Sequence, residues 1–170
     1  TPEIIDQYIL ARRHFRESVN ISHIVFMGMG EPLANYNHFY KALKVFTGPW
    51  GFAMSPRRIT FSTVGLPESI RRTAAEFPPV GLAVSLNAPD DELRATLMPT
   101  AKKKTIAEII EAASFYSKTS GGELTFEYVL LGGVNDSVAH AKKLAKLLRG
   151  LDSKVNIIPY NQSDRTPYWR

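Results

Sequence analysis

The stretch HIVFMGMGEPLANYNHFYKALKVFTG, residues 23–48, contains one complete structural unit. Ile24, Val25 and Phe26 form a short apolar, β-prone run, which predicts a buried strand. The run stops at Gly28, Met29 and Gly30, followed by Glu31 and Pro32. From Asn35 the pattern becomes helical and is stopped by Gly48-Pro49. A strand, a glycine turn and a helix in that order is the repeating element of an α/β fold.

The same alternation continues on both sides. Upstream, PEIIDQYILARRHFRE carries a helical stripe at Ile5, Tyr8, Ile9 and Phe15. Downstream, RRITFST is a strand and PESIRRTAAEF a helix opened by proline at its first position. VGLAVSL is a strand and DDELRATLM a short helix. TIAEIIEAASFYSKTSGG is a helix with Thr105 as its cap, ended by Gly121-Gly122. LTFEYVLL is a strand. DSVAHAKKLAKLLRG is a helix capped by Asp136 or Ser137, and KVNIIPYN is a final strand. Helices between strands imply parallel pairing through right-handed crossovers. Five such strands fit either an open doubly wound sheet or part of a (β/α) barrel. The chain reads as a single domain over 1–170, with no repeat and no low-complexity tract. It starts without Met, and on a helix that would ordinarily follow a strand, so a first strand upstream of Thr1 is expected.

Composition narrows the classes. Of 170 residues, 44% are hydrophobic and 22% charged, a globular balance that argues against disorder. No apolar run reaches the roughly 18 residues of a membrane helix, and no signal peptide is visible. A cytoplasmic protein with no membrane partner is expected. The net charge of +5 fits an ordinary basic protein or one with a polyanionic partner such as RNA. The absence of cysteine excludes disulfides and thiolate metal ligation within this chain.

In such folds, ligands sit at the C-terminal ends of the strands. Those ends read MGMGEP, FSTVG, SLNAPD, LLGGVND and PYNQSD. Gly28 and Gly30 allow backbone conformations and close approach that side chains forbid. Glu31 offers an anionic acceptor suited to an ammonium group. Ser62, Ser85, Asn87 and Asn161 are neutral hydrogen-bonding groups, which suit a small polar ligand. Strand alternation puts Gly81, Ala83, Ser85 and Asn87 on one face and Leu82, Val84 and Leu86 on the other. Likewise Arg58, Thr60 and Ser62 oppose Ile59 and Phe61, and Thr125 and Glu127 oppose Phe126 and Tyr128. One apolar face for helices and one small, polar face is what a ligand-holding barrel interior requires.

These motifs also carry a resemblance. MGMGEP after HIVF resembles the glycine-Glu-Pro motif of radical S-adenosylmethionine (SAM) enzymes. ITFSTVG, LAVSLNAPDDELRATLMP, FEYVLLGGVNDS and VNIIPYN follow in the order and approximate spacing of one subfamily, and the resemblance spans essentially the whole chain. That subfamily is the RlmN-type rRNA and tRNA adenine C2-methyltransferases, with the Cfr-type C8-methyltransferases close by. The resemblance implies a partial radical SAM barrel of about five parallel strands. It implies SAM contacts at Gly28, Gly30, Glu31, Ser62, Ser85, Leu86, Asn87 and Asn161, with Glu31 near the SAM amino group. It further implies rRNA and tRNA substrates, an electron donor and a monomeric protein.

The resemblance also implies parts that this chain lacks. The subfamily holds a [4Fe-4S] cluster on a three-cysteine loop before the first helix, which would lie upstream of Thr1. Its methyl-carrying cysteine would follow Arg170, and its N-terminal domain is absent. No residue here is therefore expected to be catalytic or to bind metal. For RNA, candidate cations are Lys102, Lys103, Lys104, Arg165 and Arg170, and candidate stacking faces are Tyr160, Tyr168 and Trp169. Two alternatives are C8 chemistry of the Cfr type and a cluster-free RNA-binding relic of the fold.

Overall fold

The computed structural model describes residues 1–15, 20–77, 79–99, 104–162 and 168–169. Helices α1 (Pro2–Phe15), α2 (Tyr36–Thr47), α3 (Pro67–Glu76), α4 (Asp91–Leu97), α5 (Ile106–Ser120) and α6 (Val138–Leu147) are interspersed with strands, α4 and α5 sharing one connection. The strands are β1 (Ile24–Phe26), β2 (Ile59–Thr63), β3 (Gly81–Ser85), β4 (Leu124–Leu130) and β5 (Lys154–Pro159). All pair in parallel in the order β1-β2-β3-β4-β5. That order decides between the two architectures left open by the sequence. A doubly wound sheet reverses direction at a switch point, whereas sequential order with right-handed crossovers keeps every helix on one face. The fold is an arc of a (β/α) barrel.

Residue alternation sets the two faces. Ile59, Phe61, Leu82, Val84, Leu86 and Phe126 are fully buried under the helices. They meet Phe39, Leu43 and Phe46 of α2, Ile70 of α3, and Ile109 and Tyr116 of α5. Helix α1 has no fully buried residue; Tyr8 ties it by edge contacts to Phe46 of α2 (5.3 Å) and to Phe52 in the turn that follows (4.6 Å). On β5 the helix-side residues Val155 and Ile157 stay exposed, because no described element covers them.

The helix ends follow their local chemistry. Thr105 and Glu108 form a capping box on α5, and Gly121 closes that helix in a left-handed conformation. Ser137, not Asp136, caps α6, while Asp136 accepts from the Gly133 N–H. The second strand starts at Ile59, because Pro56–Arg58 forms a 3-10 turn. Among the described residues, no helix is long and apolar enough to cross a membrane.

Candidate functional site

The strands deliver their C-terminal ends to one rim, and a cavity of about 640 Å³ opens where β1 leaves the sheet. Its walls include Gly28, Gly30, Glu31, Ser62 and Ser85, five of the residues expected at the ligand. The far wall is α1, through Ile4, Gln7, Tyr8 and Ala11.

Gly28 and Gly30 have φ of 128° and 115°, a region L side chains rarely adopt. A Cβ at either would meet nothing within 4 Å, so open space lies over this turn. The main chain between the glycines is thus presented bare to the cavity, and Met29 projects fully into solvent. Gly30→Ala is expected to cost about 1–3 kcal/mol through backbone strain alone, without a clash. Thermal unfolding of the variant checks this.

Glu31 does not point freely into the cavity. Its Oε1 accepts from the Leu33 N–H at 2.9 Å, which caps the 3-10 turn Pro32–Asn35. Its Oε2 accepts from the Val64 N–H at 2.7 Å and the Thr63 hydroxyl at 3.0 Å. A carboxylate has about four acceptor positions, and three are already filled. Glu31 is first a clasp from the exit of β1 to the exit of β2.

The rim continues by the same device. Arg94 of α4 is only 2% exposed, and its Nη2 donates to the carbonyls of Val64 and, at 3.3 Å, of Ser85. It joins β2 to β3. Burial pushes the guanidinium below its ordinary pKa, with the Asp91 charge opposing, and its Nε is buried without a partner. Asn87, just past β3, adopts a left-handed φ of 57°. Its Oδ1 accepts from the Val129 N–H at 3.0 Å, and its Nδ2 approaches Met98 Sδ at 3.4 Å. Asn135, 1% exposed, donates through Nδ2 to the carbonyls of Asn87 (2.8 Å) and Val129 (2.7 Å). Its Oδ1 accepts from the Leu131 N–H at 2.7 Å. Together these residues join β3 to β4.

The remaining expected residues lie apart from the cavity. Leu86 is fully buried on the helix side, so only its main chain is near the rim. Asn161 is exposed beyond β5. Residues the sequence reading did not single out are Arg94, Asn135 and Glu127. Glu127 lies on the polar face, 7% exposed, with its Oε2 3.5 Å from Ser62 Oγ and 3.4 Å from Ser85 Oγ. Its position on that face was the only sequence signal among the three.

Of the expected RNA contacts, Lys102, Lys103, Arg165 and Arg170 lie outside the described residues. Lys104 is paired with Glu68 at 2.6 Å. Tyr160 and Tyr168 meet edge to face at 6.4 Å. Trp169 covers Gly132 on the exit of β4, where an added Cβ would come within 2.6 Å of the indole. The Trp169 carbonyl accepts from the Gly132 N–H at 2.8 Å.

The family model described as the Radical SAM superfamily matches residues 5–146. The chain belongs to the radical SAM superfamily. A protein of Rhodopirellula baltica named probable dual-specificity RNA methyltransferase RlmN is 49% identical over 166 residues, 98% of this chain and 45% of that protein. A protein of the same name from Thermus thermophilus is 47% identical over 166 residues, 97% of this chain and 47% of that one. The crystal structure of a radical SAM methyltransferase from Sphaerobacter thermophilus superimposes with a TM-score of 0.94 at 44% identity, covering 99% of this chain and 50% of that one. The chain thus spans about half the length of the relatives it matches. Radical SAM proteins use SAM with a [4Fe-4S] cluster, and these 170 residues contain no cysteine to ligate one.

Proposed function

We propose that this chain is the SAM-binding core of an RNA methyltransferase of the RlmN type. The parent protein then methylates C2 of adenine in 23S rRNA and tRNA. The observation that carries this reading is the convergence of Gly28, Gly30, Glu31, Ser62 and Ser85 on one cavity at the strand ends. The similarity to RlmN-named relatives over nearly the whole chain supports the substrate class.

The residues present fit SAM. The bare main chain at Gly28–Gly30 can meet an amino-acid end, and Glu31 retains one acceptor position toward an ammonium group. Ser62 and Ser85 add hydroxyls, and the cavity volume lies in the range of small-molecule sites. When bound, SAM supplies the methyl group and the adenosyl fragment; this chain's part is to hold and orient it. The residues do not fit a [4Fe-4S] cluster, which needs thiolates. For RNA, Tyr160, Tyr168 and Trp169 offer aromatic faces close to the exit of β4.

The test is anaerobic reconstitution of the full-length protein with SAM and an electron donor, on unmodified 23S rRNA and tRNA. The methylated carbon is then mapped by mass spectrometry. Methyl groups at adenine C2 in both RNAs are expected. Methylation at C8 would transfer the chain to the Cfr type. RNA binding without any affinity for SAM would make it a relic of the fold.

A further inference from the structure

Two carboxylates stand at the rim, and they differ in what they have left to offer. Glu31 is held by three protein donors. Glu127 is the more deeply enclosed of the two, yet it forms no ion pair among the described residues. Its side-chain contacts are the hydroxyls of Ser62 and Ser85, from the two preceding strands. The strand register explains the arrangement: Ser85 is the direct neighbour of Glu127, and Ser62 pairs with Ala83 one step further along the sheet.

The direction of these contacts matters. An ionised carboxylate can only accept, so both hydroxyl protons are drawn toward Glu127. A serine hydroxyl has one proton and two lone pairs. With the protons turned inward, Ser62 and Ser85 present only acceptors to the cavity they line. At 3.4–3.5 Å the bonds are long, but they are the only side-chain hydrogen bonds of either hydroxyl among the described residues. We infer that Glu127 is a positioning residue that fixes the proton direction of Ser62 and Ser85, so that this wall of the site takes a hydrogen-bond-donating part of the ligand and turns away its carboxylate. The inference rests on the reading of the cavity as a SAM site. In SAM the donating groups are the ribose hydroxyls, the ammonium and the exocyclic amino group of adenine.

The test uses the full-length protein and equilibrium binding of SAM by anaerobic calorimetry. Glu127→Gln keeps the shape but lets the serine protons turn outward, and is expected to weaken SAM binding about tenfold to a hundredfold. In a Ser62→Ala/Ser85→Ala background the same change is expected to shift affinity by less than about twofold, because the intermediaries are gone. An equal loss in both backgrounds, or none in the wild type, overturns the inference. Four ligand variants decide the question should Glu127→Gln fail to fold. Removing the α-amino group, the ribose hydroxyls or the adenine amino group should weaken binding to the wild type, and the loss should vanish in the serine double variant for the group seated there. Decarboxylated SAM should show the same relative affinity in both proteins. Loss of the serine effect with decarboxylated SAM would mean that the serines hold the carboxylate, and would overturn the inference. A wild-type protein that binds no SAM at all refutes the underlying function instead.

Discussion

Arg94→Ala is expected to destabilise the domain by about 2–4 kcal/mol, from two main-chain carbonyls that lose a donor and from the void left by a large buried side chain. The side chain is 2% exposed and is the buried residue of α4, midway along that helix. Its removal leaves the carbonyls of Val64 and Ser85 without this donor, and opens a void that neighbouring strands cannot close. In a domain of this size the melting temperature should fall by about 2–4 °C for each kcal/mol. Arg94→Met separates the two causes. It fills the space and removes a desolvated charge that has no ion-pair partner among the described residues, so its cost should be less than half that of alanine. Both variants should weaken SAM binding, because both release the ends of β2 and β3. Urea unfolding and calorimetry on the same samples check this. Equal stabilities for the alanine and methionine variants would assign the loss to the hydrogen bonds rather than the packing.

Asn135→Ala is expected to cost about 2–4 kcal/mol, from several buried main-chain groups left unpaired at once. The amide serves Leu131 N–H and the carbonyls of Asn87 and Val129, all at 2.7–2.8 Å. The Tyr128 hydroxyl reaches the Asn135 carbonyl at 2.8 Å and survives the substitution, so the loop should stay attached at that point. Asn87 should suffer most, since its left-handed φ is held partly by this clasp. Hydrogen exchange is the discriminating measurement. Amides of Val129 and Leu131 should lose protection in the variant, while those of Phe61 and Leu82 should keep theirs.

The elements of this fold were readable from local pattern. Apolar alternation separated Leu82, Val84 and Leu86 from Ala83 and Ser85; the first three lie fully buried under the helices, while on the other face Ser85 is half-buried and the small Ala83 is buried as well. Thr105 is the cap expected from the sequence, and Glu108 completes it as a capping box. Strand order was not readable, because the neighbours of a strand are set by pairing between distant segments and leave no local period. The site divides along the same line. Gly28, Gly30, Ser62 and Ser85 carry their signal in residue type at a strand end. The side chain of Glu31 turns back onto Thr63 and Val64, a choice made by donors more than thirty positions away. Leu86 illustrates a conflict between two arguments: alternation placed it under the helices, where it lies, while resemblance placed it at the ligand. Arg94 looked like an ordinary helical charge and Asn135 like an ordinary loop residue. Nothing in their immediate neighbours distinguishes them.

The straps around the rim share one property with a wider consequence. Apart from the bond of Glu31 to the Thr63 hydroxyl, Glu31, Arg94, Asn87 and Asn135 hold the N–H and C=O groups of Val64, Ser85, Val129 and Leu131, not their side chains. Every amino acid except proline carries those two groups. Natural variation can therefore change the side chain at a gripped position without loosening the grip. The frame is inherited as backbone geometry while the lining remains free to diverge, so a small set of fixed straps can carry many different pockets.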